Sequence, residues 1–584
     1  MDIIKKLRIL LDRKQKIKMA GLVVLMVIGA VLETCSIALV VPVLKVIMEQ
    51  DALEKNSIYR KIYEFLHMKS MTQFIIVILV GLILLFVIKN IFLYFQNVAQ
   101  YHFVYTNQFR TSERVMITYM KRPYEYFLNA DTAVVQRSIT SDVNNMFALI
   151  LGLLQLLSEI IISVSIIAVA LYYQPFMTAV MAVLLILTII LVKKVLKPVM
   201  EKAGQENRDY YAGLFKWIQQ SVTGIKEIKI GNREEFFIDE YVKCGQGYVN
   251  AVQRYSIYTN TPRLLIETVC IAGMLGYLIV VILQGNDIQN TMPILGAFAL
   301  AAVRLMPSAN RINNHLSNIS YFKPFLMDVS DNLRTDIADE KVAIDSIQRA
   351  EQKLEITDKV EMKGITYAYP NTDVLIFDHA DLEIPIGSAV GIVGTSGAGK
   401  STVVDILLGL LQLKEGQVLA DGVDVLQPQN YRRWLGNVGY IPQSIFMLDD
   451  TIRKNVAFGV PEDKIDENRL WEVLKEAQLD EFVRGLPQGL NTGIGERGIR
   501  LSGGQRQRIG IARALYDNPE VLILDEATSA LDNDTEAAIM ESINHLHGKK
   551  TLIIIAHRLH TIEKCEIIYR VENGKAVREQ YKEV

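Results

Sequence analysis

Apolar residues in the first 320 positions gather into six long runs, near 19–47, 72–96, 147–173, 175–197, 263–284 and 291–309. Each is long enough to cross a membrane as a helix, since about 20 apolar residues at ~1.5 Å apiece span a ~30 Å hydrocarbon layer. Beyond residue 355 the runs shorten to strand length, as in Ala389-Val390-Gly391-Ile392-Val393 and Val521-Leu522-Ile523-Leu524, and helix-like stretches lie between them. The pattern predicts an α-helical membrane domain of six transmembrane helices over 1–320, a linker over 321–354, and an α/β domain with a helical subdomain over 355–584. A mean hydropathy of +0.21 with 22% charged residues is what averaging two such halves produces.

Connections and charges orient the helices. Gln174-Pro175 separates the third and fourth runs, and the short stretch 285–290 separates the fifth and sixth, so each pair predicts a tight hairpin. The other two connections are long and polar and carry Arg110, Arg114, Lys121, Arg122, Lys193, Lys194, Lys197 and Lys202, whereas the hairpins carry no Lys or Arg. By the positive-inside rule the long loops and both termini face the cytoplasm, in the cytoplasmic membrane. Lys5, Lys6, Arg8, Arg13, Lys14, Lys16 and Lys18 before the first run agree, and that run is too long for a cleaved signal. Short transverse helices are expected in the long loops near residues 123–127 and 232–237. In the first outer loop, Tyr59, Ile62, Tyr63 and Leu66 fall on one helical stripe. They predict a short helix, suited either to lipid contact at the interface or to capping the loop.

Composition removes other classes. A net charge of −2 supplies no basic field for nucleic acid. Cys35, Cys244, Cys270 and Cys565 are scattered, with no metal-ligand spacing and no disulfide framework.

The second half carries the chemistry. A strand-like run leads into Gly394-Thr395-Ser396-Gly397-Ala398-Gly399-Lys400-Ser401, and an apolar helix follows from Thr402. This is a P-loop in its strand–loop–helix context. Glycines let backbone N–H groups turn toward phosphates, and the helix N-terminus adds its positive dipole end. Lys400 is expected at the β- and γ-phosphates of ATP, and the Ser401 hydroxyl on Mg²⁺. Val521-Leu522-Ile523-Leu524 ends in Asp525-Glu526. A strand tip brings both acids to the phosphate edge of a parallel sheet, Asp525 toward Mg²⁺ and Glu526 as candidate general base.

Leu501-Ser502-Gly503-Gly504-Gln505, just before that strand, resembles the signature of ABC ATPases. Around it, Gln443 resembles the Q-loop glutamine, which also reaches Mg²⁺. Gly495-Glu496-Arg497-Gly498 resembles the exporter segment that touches the coupling helices, and Ser529-Ala530-Leu531-Asp532 the D-loop. His557 resembles the switch histidine, and Tyr369 the aromatic that stacks on adenine. The resemblance covers about residues 355–580. It implies an ABC exporter half-transporter in which each nucleotide lies between the P-loop of one domain and the signature of another, so two chains are needed. A homodimer is the default.

Charges within the spans bear on cargo, because each costs about 2.5–3.5 kcal/mol on insertion scales and so faces a cavity or a partner. Lys89, Arg263, Arg304 and Arg311 are basic; Glu33, Glu159 and Glu267 are acidic. All four bases suit the inner half of a cavity for an anionic head group, while Arg263 and Glu267, four apart, suit mutual pairing. The stretch from Ala302 to Arg311 and the pattern of Glu33, Lys89, Glu159 and Glu267 resemble the bacterial flippases of lipid-linked oligosaccharides. That resemblance implies a polyprenyl-pyrophosphate-linked glycan in membrane lipid as substrate, engaged by Arg263, Arg304 and Arg311, with Lys89 where the flippase has an arginine. The alternative is a generic lipid or multidrug exporter. A chromosome-maintenance ATPase would need long coiled coils in place of six apolar spans.

Overall fold

A computed structural model describes residues 2–39, 43, 46, 57–65, 67, 70–173, 175–283, 288–333, 352–370, 372–526, 533–556 and 559–579. The chain divides into two compact units, residues 1–122 with 130–344, and residues 123–129 with 345–584.

The first unit is helical. Helix α1 (Asp2–Leu10) and α2 (Arg13–Ala38) precede a short α3 (Ser57–Phe65) and the long α4 (Met71–Lys121). Helix α5 (Thr132–Arg137) passes through a π-turn at Ser138–Asp142 into α6 (Val143–Tyr173). Then come α7 (Pro175–Thr223), the short α8 (Ile225–Gly231), α9 (Glu234–Leu283) and α10 (Ile288–Leu333). Helices beginning at Arg13, Met71 and Thr132 are long and apolar enough to cross a membrane among the described residues. The runs 175–197 and 291–309 fall within α7 and α10, and residues 263–283 of the fifth run within α9. Helix α10 continues through Leu333, into the stretch expected as linker.

The short outer helix exists as α3. Its Tyr63 ring meets Phe74 of α4 edge-on at 5.3 Å, packing the helix onto the bundle, while Phe65 is exposed. The expected helix at 232–237 is corrected: it ends before that stretch, as α8, and Asn232 stops it with φ of 48°. Asparagine tolerates this left-handed geometry, and its N–H caps the carbonyls of Ile228 and Lys229. Residues 234–237 already belong to α9.

The second unit is α/β. A parallel core of five strands, β3 (Ala389–Val393), β6 (Val438–Ile441), β7 (Val521–Asp525), β8 (Thr551–Ile555) and β9 (Ile567–Glu572), takes the order β9-β3-β8-β7-β6, with antiparallel β10 (Lys575–Glu579) at one edge. A second, antiparallel sheet runs β2 (Phe377–Pro385), β1 (Lys359–Tyr367), β4 (Glu415–Ala420), β5 (Val423–Asp424). Strand alternation splits the core: Leu522 and Leu524 enter one apolar cluster, Val521 and Ile523 the other. Both faces of the sheet are therefore buried, which is why its strands read as continuous apolar runs.

Candidate functional site

Register brings the chemistry to one sheet edge. Ile392 of β3 pairs with Ile555 of β8, and Ile555 pairs with Asp525 of β7. The segment after β3 and the acids ending β7 therefore emerge side by side, where parallel α/β sheets bind ligands.

Glycines shape the loop. Gly399 sits at φ of 104°, and a Cβ there would lie 2.8 Å from Ile376 and 3.1 Å from the Phe377 ring. Any other residue would be strained and would clash. Helix α11 (Lys400–Leu407) starts immediately after, so its free N–H groups face the loop concavity. Lys400 is buried and donates to the carbonyls of Gly394 and Thr395, both at 3.1 Å. Ser401 Oγ donates to Asp525 Oδ1 at 3.4 Å, and Tyr440 OH lies 3.5 Å from Asp525 Oδ2. Gln443 Nε2 donates to Glu526 Oε2 at 2.8 Å. Glu526 has φ of 47°, a left-handed backbone that turns the chain sharply after the strand. Thus Lys400, Ser401, Gln443, Asp525 and Glu526, far apart in sequence, form one cluster. A serine hydroxyl, a carboxylate and an amide oxygen are the hard oxygen donors Mg²⁺ takes when nucleotide phosphates complete its shell. The donor set fits that ion.

Tyr369 is half-buried, and its hydroxyl lies 3.0 Å from Thr402 Oγ1. The signature forms the start of helix α12 (Gly503–Tyr516) through a capping box: Ser502 Oγ accepts from Gln505 N at 3.2 Å, and Gln505 Oε1 accepts from Ser502 N at 2.8 Å. Gly503 is exposed and Gly504 buried. Among the described residues no hydrogen bond joins this corner to the P-loop. Arg513 of α12 anchors it from behind, donating to the carbonyls of Asn455 and Phe446 at 2.7 Å, with burial pulling its pKa down to about 10. The side chains of His557 and Asp532 lie outside the described residues.

Sequence reasoning missed Asp405 on α11. Burial, with the neighbouring Asp525 charge adding, lifts its carboxyl to about 6. A raised folded-state pKa means that the stabilising proton is fully held below the ordinary carboxylate range and lost as pH rises through about 6. Asp405→Asn should therefore stabilise the full-length chain at pH 7.5. Discounted for partial exposure, the gain is about 1 kcal/mol, or ~2–4 °C in melting midpoint, and it shrinks as pH falls below 6. Equal midpoints at pH 7.5 would sink this reading.

In the helical unit the basic candidates separate. Arg311 Nε lies 2.6 Å from Glu159 Oε1, joining α10 to α6; the arginine side chain is 47% exposed, the glutamate 14%. This is the pairing alternative, realised between helices. Glu159 Oε2 has no hydrogen-bond partner among the described residues. Lys89 is buried, its ammonium 4.8 Å from the Phe86 ring centre. Arg263 is exposed, and among the described residues no ion pair joins it to Glu267. The Arg304 side chain lies outside the described residues.

Helical spans joined in one chain to a P-loop ATPase define a class: ATP-driven membrane transporters. Residues 377–529 match the family described as ABC transporter, and residues 52–290 that described as ABC transporter transmembrane region. An ATP-dependent lipid A-core flippase of Bordetella avium is 31% identical over 461 residues, 77% of this chain and 75% of that protein. The Bacillus subtilis protein YknU, described as an uncharacterized ABC transporter ATP-binding protein, is 28% identical over 502 residues, 85% of this chain and 83% of that protein. The structure of a bacterial Atm1-family ABC exporter with ATP bound shares the fold, with a TM-score of 0.76, 21% identity, and coverage of 97% of this chain and 95% of that one. This chain belongs to the ABC transporter family. It is an exporter-type half-transporter whose ATP hydrolysis is coupled to movement of cargo across a membrane.

Proposed function

We propose that two copies of this chain flip an amphipathic lipid with an anionic head group, a polyprenyl-pyrophosphate-linked oligosaccharide by preference, across the cytoplasmic membrane. In this reading both termini and the long loops are cytoplasmic. The observation that carries the ATPase part is the cluster of Ser401, Asp525, Gln443 and Glu526 at one sheet edge. Lys400 and the N–H groups opening α11 hold the phosphates, and Tyr369 faces adenine. Ser401, Asp525 and Gln443 would hold Mg²⁺, which would supply neutralisation of phosphate charge. Glu526 takes the proton of the attacking water, and by the family resemblance His557 would brace the γ-phosphate and Asp532 would belong to the seam. The signature residues Ser502, Gly503, Gly504 and Gln505 approach the nucleotide of the other copy. Their caps are self-satisfied and their edge is exposed, which supports a second chain as the partner. ATP favours the closed pair only through its greater affinity for it, and hydrolysis removes that bias.

For cargo, Arg311 supports the anionic reading: a half-exposed guanidinium keeps donor capacity beyond its Glu159 pair. The Bordetella avium relative, named as a lipid A-core flippase, supports a lipid substrate. Reconstitution in liposomes tests it. ATP-dependent flipping of a polyprenyl-pyrophosphate sugar is expected to fall at least ~10-fold in Arg304→Ala, the loss of one charge-assisted contact. The alternative, a generic lipid or multidrug exporter, expects ATPase stimulation by hydrophobic compounds and indifference to Arg304→Ala. No flipping of any pyrophosphate lipid would leave that alternative standing.

A further inference from the structure

The short helix Tyr124–Asn129 lies between α4 and α5 in sequence yet belongs to the α/β unit. One oxygen of its Glu125, Oε1, accepts from Tyr367 OH at 3.1 Å and from the backbone N–H of Gln412 at 3.0 Å. Tyr367 is fully buried at the end of β1, so its hydroxyl depends on such a partner. Its ring stands edge-on to Tyr369, centroids 5.3 Å apart and planes at 78°. Tyr369 in turn meets Thr402 of the P-loop helix at 3.0 Å. The adjacent Tyr124 reaches the same pocket: burial pushes its pKa up, with Asp405 and Tyr369 adding to the shift.

We propose that Glu125 is a positioning residue for the adenine end of the nucleotide site, acting through Tyr367 to hold the ring of Tyr369. The proposal rests on Tyr369 being the adenine face. The physics is an unpaired-group argument. Without the carboxylate, the buried Tyr367 hydroxyl and the Gln412 N–H lose their acceptor, and the phenol must shift or remain unpaired. Either way the edge that sets the tilt of Tyr369 moves.

The test uses the full chain in nanodiscs and reads KM for ATP separately from kcat. Glu125→Ala and Tyr367→Phe are each expected to raise KM about fivefold, the worth of one ordinary hydrogen bond, with kcat within about twofold. The double variant should be no worse than either single one, since both cut the same link. Glu125→Gln keeps an acceptor oxygen and should stay within about twofold of the parent KM. An unchanged KM in Glu125→Ala, additive effects, or a fall in kcat alone would overturn the proposal. Tyr369→Ala separates the two levels: if it too leaves KM unchanged, the adenine assignment fails. If Tyr369→Ala raises KM while Glu125→Ala does not, only the link through Glu125 fails.

Discussion

Glu526→Gln is expected to bind ATP about as tightly as the parent and to hydrolyse it at least ~100-fold more slowly, the usual contribution of a positioned general base. The substitution keeps size and keeps an oxygen able to accept from Gln443 Nε2, now 2.8 Å from the carboxylate, so the site geometry should survive. What disappears is the basic oxygen that receives a proton from water. Because hydrolysis is proposed to release the closed pair, the variant should accumulate as an ATP-bound dimer, visible as a shift in size or as a short inter-copy distance by spin labelling. Single-turnover hydrolysis and nucleotide binding measured on the same preparation decide it. Hydrolysis within tenfold of the parent would remove Glu526 from the base role and turn attention to His557.

The largest expected loss of stability lies within the helical unit. Arg137, at the end of α5, donates to Asp142 Oδ2 at 3.1 Å, and Asp142 is completely buried. The same guanidinium donates to the carbonyl of Arg208 at 3.2 Å and reaches Asp328 at 3.4 Å, while Arg208 donates to Asp328 at 2.9 Å. Four charges thus tie α5 and the π-turn to α7 and α10. Arg137→Ala strips the counter-charge from a carboxylate whose other oxygen, Oδ1, already has no hydrogen-bond partner among the described residues. An uncompensated buried charge costs about 3–5 kcal/mol. The full chain should show a lower melting midpoint and faster inactivation. Removing both partners, as Arg137→Leu with Asp142→Leu, should recover much of the loss, because the penalty belongs to the orphaned charge. A midpoint for Arg137→Ala within 1 °C of the parent would show that water or a neighbour replaces the arginine. The π-turn itself inserts a residue into the helix, and such turns gather where a helix must present groups it otherwise could not.

The short helices show where sequence reasoning reaches and where it stops. The loop holding residues 123–127 is long and polar and carries Pro123, so a short helix reaching toward the ATPase domain was legible; the contacts that make it part of the α/β unit were not. That membership hangs on Glu125 meeting Tyr367 and Gln412, residues 242 and 287 positions away. The other short helix was sought too late in the chain. Gly231-Asn232 carried the signal, since this pair favours a left-handed stop, and the helix before it ends there.

What the sequence determined by itself is whatever is local. Strand alternation and helix-length apolar runs follow from backbone periodicity, and the P-loop, the acids of Asp525-Glu526 and the Ser502–Gln505 capping box are each contiguous pieces of chain whose geometry their own residues impose. Tertiary structure alone decided the partners of charges. Spacing offered Arg263 and Glu267, four apart, as a pair, yet among the described residues no ion pair joins them, while Arg311 meets Glu159 on α6, because α6 and α10 pack side by side. Asp405 reads as an ordinary helix acid until the fold buries it beside Asp525. The reason is physical: spacing along one element fixes which face a residue shares, whereas a charge's partner and its solvation depend on which element covers that face.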